Sequence, residues 1–189
     1  MSIKVTPDLI IEIDYDPYEV IWPYSGVDEE GEIDQFYFNH DFAPIDNHFS
    51  LEKIMEICKE EVEKIALIAS GDSTFQEVSD EVESMYGEGG WWECPWAYLD
   101  LGVWGPVLAV KAIGGVPISS CNGGCFSDDN QRHQYDYPMF SFRGNEGCIS
   151  SVERSARRTG CGIFGSDGCL IVYTNDIRNF AEFAMDLLS

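Results

Sequence analysis

"CGIFGSDGCLIVY", residues 161–173, decides the fold. Two short apolar runs, CGIF and CLIVY, flank Gly165-Ser166-Asp167-Gly168, and an Asp-Gly step between apolar runs is turn chemistry that closes a β-hairpin. With Asp167-Gly168 at the turn, Cys161 faces Thr174 and Cys169 faces Ser166, so the two thiols are not opposed and a local disulfide is not favoured. An antiparallel pair near the C-terminus sets the expectation for the rest of the chain.

Working outward, Met139–Phe142 and Val116–Ser120 read as strands, and "IKV" and "LIIEIDY" as two more near the N-terminus. Helices alternate with them. Ser50 caps "LEKIMEICKEEVEKIALIA", which sets Leu51, Ile54, Met55, Cys58, Val62 and Ile65 at helical spacing. Ser73 with Gln76 reads as a capping box for a second helix ended by Gly87. "PVLAVKAI" makes a third helix, with Pro106 in its first turn and Gly114-Gly115 as its stop. "ISSVERSARR" makes a fourth, ended by Gly160, and Asn175 or Asp176 caps a fifth carrying Ile177, Phe180, Ala184 and Leu187. Hairpins outnumber crossovers, which predicts a single α+β domain over residues 1–189 with a mostly antiparallel sheet and about five helices. Eleven Phe, nine Tyr and five Trp supply an ample core.

Charge is the outlier in composition. Thirty-four acidic residues against eleven basic ones give a net −23, and residues 1–100 hold 25 of the acids against four Lys. Residues 101–189 are near neutral and hold every Arg. Such a field repels phosphate backbones, so nucleic acid is not an expected partner. Arg154, Arg157 and Arg158 share one helical face and are expected to neutralise carboxylates of the N-terminal half. No apolar run of membrane-spanning length and no signal-like segment occurs, so a cytoplasmic protein with reduced thiols and no membrane partner is expected. No motif calls for a cofactor, and "DSTFQEVSDEVE" lacks the central glycine of a calcium loop.

Two functional readings follow. The first takes the acidity as the signal: an inhibitor of the immunity or anti-defence type, covering a basic surface of a partner protein such as a nuclease or toxin. Asp28, Glu29, Glu30, Glu32 and Asp34 would supply the charge, and Trp91 or Trp92 the aromatic anchor. The second takes "GGVPISSCNGGC", residues 114–125, as the signal. Cys121 reads first as a small core side chain in a sharp turn and second as a nucleophile with His133 as its base. No third orienting group is identifiable for that pair. A metal held by Cys121, Cys125 and His133 is a further candidate, although the remaining cysteine spacings supply no second ligand pair.

Residues 104–124, "WGPVLAVKAIGGVPISSCNGG", resemble uncharacterised small prokaryotic and phage proteins carrying a G-[IV]-P-x-x-S-C-x-G motif after a helix. Those proteins often have His after the motif, where this chain has Gly124. The resemblance implies no activity.

Overall fold

The computed structural model describes residues 3–16, 49–89, 95–129, 132–133, 135–166 and 168–189. In chain order the described elements are β1 (Ile13–Asp14), α1 (Leu51–Ser70), α2 (Phe75–Gly89), a 3₁₀ turn (Pro95–Tyr98), α3 (Trp104–Ala112), β2 (Val116–Cys121), β3 (Met139–Arg143), α4 (Glu146–Thr159), β4 (Gly162–Ser166), β5 (Cys169–Tyr173) and α5 (Arg178–Leu187). The five strands form one sheet in the order β1-β4-β5-β3-β2. The expected hairpin is β4–β5, with Ser166 opposite Cys169. Because β3 and β4 both run antiparallel to β5, they are parallel to each other, and α4 is the crossover between them. The sheet is mixed rather than purely antiparallel, because β1 pairs with β4 in parallel. Of the N-terminal strands expected, only Ile13–Asp14 belongs to the sheet, and Ile3 makes an isolated bridge to Phe126.

Period-two alternation sorts the sheet's side chains into two layers. Phe140 and Phe142 of β3, with Leu170 and Val172 of β5, enter the main core with the helices. There they meet Phe180 and Phe183 of α5, all four rings being fully buried. Each such ring contributes about 1.5–3 kcal/mol relative to an exposed one. Met139, Ile171 and Tyr173 point to the opposite face and form a smaller cluster with Cys121, over which Leu9, Ile11 and Tyr137 pack. The Tyr173 hydroxyl donates to the Ile10 carbonyl at 2.9 Å, tying the N-terminal segment across this face.

Strand β2 sits at an edge of the sheet, a position at which a strand tolerates a proline such as Pro117. Its register slips between Pro117 and Ser119, so Pro117 opposes Phe142 while Cys121 opposes Met139. That one extra residue re-phases the strand. It turns Cys121 away from the helix-covered core toward the smaller cluster.

Three local expectations need correction. The capping box of α2 lies one residue later than expected: the Thr74 hydroxyl accepts from the Glu77 amide at 3.1 Å, and the Glu77 carboxylate accepts from the Thr74 amide at 2.8 Å. Ser73 and Gln76 have no part in it, and the helix runs past Gly87 to Gly89. The buried stripe of α1 is also rotated, leaving Leu51 and Val62 exposed and burying Glu61 and Lys64. Finally, the arginines of α4 pair within the C-terminal half, Arg157 with Glu153 and Arg158 with Asp186.

Glu61 has a structural task. Its two carboxylate oxygens accept the amides of Gly102 (2.8 Å), Trp104 (2.8 Å) and Gly105 (2.7 Å). Val103 offers no side-chain cap to α3, so Glu61 supplies one from a neighbouring helix. Gly105 leaves the room, since a Cβ there would lie 3.0 Å from the Glu61 carboxylate.

Candidate functional site

The turn after β2 is built by Asn122, Gly123 and Gly124. Both glycines are left-handed, at φ 69° and 59°. A Cβ on Gly123 would stand 2.3 Å from the Tyr137 backbone, and one on Gly124 would stand 2.8 Å from Cδ2 of His133. Glycine is required at both places by conformation and by close approach. The second approach lets the His133 ring lie against the turn.

Cys121 Sγ and His133 Nδ1 are 3.5 Å apart. The other ring nitrogen, Nε2, lies 3.0 Å from Oδ2 of Asp129. Asp129 is 1% exposed and His133 11% exposed at their side chains, so neither is free to wander. This geometry assigns the Nε2 proton to the bond with Asp129 and leaves Nδ1 as the acceptor toward the thiol. The Gly123 amide donates to Cys121 Sγ at 3.3 Å, which fixes the sulfur against the turn. Cys121, His133 and Asp129 thus form a line of thiol, imidazole and carboxylate, the arrangement of an activated nucleophile. The orienting group that the sequence did not reveal is Asp129.

A second carboxylate approaches from the segment before α3. Asp100 Oδ2 accepts the Asn122 amide at 3.1 Å. Burial pushes the Asp100 carboxyl above its ordinary range, opposed by the Asn122 amide and the nearby His133 and reinforced by Asp129. One ligand atom from each of Asp100, Cys121 and His133 lies within 4.8 Å of the others. Asn122, 1% exposed, locks the corner: its Oδ1 accepts the Gly124 amide and its Nδ2 donates to the Leu101 carbonyl. Beside this corner a cleft of about 200 Å³ opens against α2, lined by Phe75, Val78, Leu101 and Trp104 together with Glu83, Asp100 and Asp129; Cys121 and His133 are not among its lining residues.

Cys121 and His133, paired in the sequence reading, are brought together. Cys125 is not: it lies in the main core, and burial drives its thiol strongly upward. Burial likewise pushes Cys58, Cys148 and Cys161 up to about 12, which keeps them protonated and inert. Asp28, Glu29, Glu30, Glu32, Asp34, Trp91 and Trp92 lie outside the described residues. Two members of the site were missed. Asp129 sits four residues before His133 in "CFSDDNQRH", and Asp100 is the lone acid in "AYLDLGVW". A solitary carboxylate inside an apolar run is a usable signal, because burial without a partner is costly.

The fold and the site define a single α+β unit with a cysteine–histidine–aspartate line at a sheet edge. No protein-family model, no curated protein and no solved structure matches the chain. Among the described residues no helix is long and apolar enough to cross a membrane.

Proposed function

We propose that the chain is a thiol-dependent enzyme of the acyl-transfer class. The observation that carries this reading is the contact of Cys121 Sγ with His133 Nδ1, with Asp129 on the far side of the ring. In the step envisaged, the Cys121 proton passes to His133 Nδ1 while sulfur attacks a substrate carbonyl carbon. The bond to the leaving amine or alcohol breaks, and the leaving group takes the proton from His133. Water, activated by the same nitrogen, then hydrolyses the thioester and restores the thiol. The cleft beside Asp100 combines apolar side chains with the carboxylates of Glu83, Asp100 and Asp129, which suits a substrate with an apolar body and a cationic group.

The test is the rate of iodoacetamide alkylation at Cys121, read by mass spectrometry at pH 7 with EDTA present. Wild type should react at least tenfold faster than His133→Gln and several-fold faster than Asp129→Asn. Equal rates in all three proteins, each shown folded by circular dichroism, would remove the proposal.

The inhibitor reading keeps one observation in its favour. The outer face of α2 exposes Glu77, Asp80, Glu81 and Glu83, and the helix carries no Lys or Arg. A one-signed face of this kind steers association with a basic protein. Capture of a basic partner at low salt and its release at high salt would support that reading, and capture insensitive to salt would end it.

A further inference from the structure

We propose that Asp100, Cys121 and His133 bind a divalent transition metal of the zinc class, with Asp129 orienting the histidine ligand. The donor set is the first argument. Thiolate, imidazole and carboxylate together select zinc or its neighbours over calcium and magnesium, which take oxygen ligands. Spacing is the second. Bonds of roughly 2.3 Å to sulfur and 2.0 Å to nitrogen, held at a tetrahedral angle, put the two donors roughly 3.5 Å apart. Cys121 Sγ and His133 Nδ1 are 3.5 Å apart, and the Asp100 carboxylate completes a group whose donor atoms all lie within 4.8 Å.

The surrounding contacts supply the third argument. A ligating histidine commonly donates its other ring N–H to a carboxylate, which fixes the tautomer and strengthens the donor. Asp129 does this for Nε2 from a fully buried position. Charge supplies the fourth. Two acidic side chains, Asp100 and Asp129, flank the Cys121–His133 pair in a chain of net −23, a surrounding that suits a bound cation. Three protein ligands leave one tetrahedral position for water or a substrate atom.

Metal binding replaces the Cys121 proton, so it uses the same sulfur and nitrogen that the acyl-transfer reading requires. The metal would therefore switch the nucleophile off. The inference does not depend on that reading, and the experiment separates the two.

Full-length protein is stripped with EDTA, dialysed, and titrated with Co²⁺ and then with Zn²⁺ against a chromophoric chelator. One equivalent of Co²⁺ should give a sulfur-to-cobalt charge-transfer band in the near ultraviolet, displaced by Zn²⁺. Cys121→Ser and His133→Ala should abolish the band. Asp100→Asn should weaken binding at least tenfold, Asp129→Asn by about 10–100-fold, and Cys125→Ser should leave it unchanged. Absence of the band in the folded wild type, or its survival in folded Cys121→Ser, overturns the metal site. Alkylation then separates the proposals. Fast alkylation that zinc does not slow retains the nucleophile and rejects the metal. Slow alkylation of the stripped protein with tight zinc binding does the reverse.

Discussion

Replacing Glu61 by alanine would uncap α3 from inside the molecule. The carboxylate is 1% exposed and accepts three backbone amides, at 2.7 to 2.8 Å. Alanine leaves those N–H groups buried without acceptors and opens a small cavity. At about 1–3 kcal/mol for an unsatisfied buried donor, the loss is about 4 kcal/mol once the released cost of burying a charge is set against it. A domain of this size is stable by about 5–15 kcal/mol, so the variant should fold but unfold at much lower urea. The pH dependence is the sharper readout. Burial pushes Glu61 from 4.5 up to about 7, against the pull of the three amides. A carboxyl raised in the folded state keeps its proton there while the unfolded chain has already released it. Its contribution to stability therefore falls as pH rises from about 4.5 to about 7 and is flat above. The interval corresponds to about 3 kcal/mol at about 1.4 kcal/mol for each pH unit. Glu61→Ala lacks this slope, so its destabilisation relative to wild type should shrink by that amount between pH 4.5 and pH 7. Urea titrations followed by circular dichroism at pH 5, 6, 7 and 8 measure it. A destabilisation that stays constant or grows with pH would refute the reasoning, because the three amides would then outweigh burial.

Gly124→Ala should couple turn geometry to the site. With φ at 59° and a new Cβ 2.8 Å from His133, the ring must move, at a stability cost of about 1–3 kcal/mol. Alkylation of Cys121 should fall to the rate of the His133→Gln protein, and an unchanged rate would show that the ring is not held by the turn. Thr74→Ala removes the α2 capping box and should cost about 1 kcal/mol by thermal unfolding, while Ser73→Ala should be near neutral. Arg158→Ala breaks only an exposed pair with Asp186 and should change stability by less than about 1 kcal/mol.

What could be read in advance followed from local chemistry. The hairpin between CGIF and CLIVY is specified by residues close in the chain, and its register, with Ser166 opposite Cys169, was legible. The helices were legible from periodicity, but α1 shows the limit of that signal. Its apolar positions left the stripe's centre ambiguous, and the residue that settles the rotation is Glu61, whose burial depends on amides some forty positions away. The capping error is of the same kind on a smaller scale: Ser73 and Thr74 are both competent caps, and Glu77 rather than Gln76 selects between them.

The site was half legible for a related reason. Cys121 and His133 lie in one loop region and could be paired on chemistry alone. Their geometry, however, depends on the slip in β2 that turns Cys121 to the outer face, and on the room that Gly124 leaves for the ring. Asp129 shares that loop but reads in the sequence like any solvated acid, whereas its side chain is 1% exposed in the fold. Asp100 comes from a separate segment, fixed in place because Asn122 bonds Asp100 with its backbone and Leu101 with its side chain. Such a corner is specified by backbone groups that every residue carries. The residues that mark it are therefore the glycines and the buried asparagine around Cys121, more than the cysteine itself.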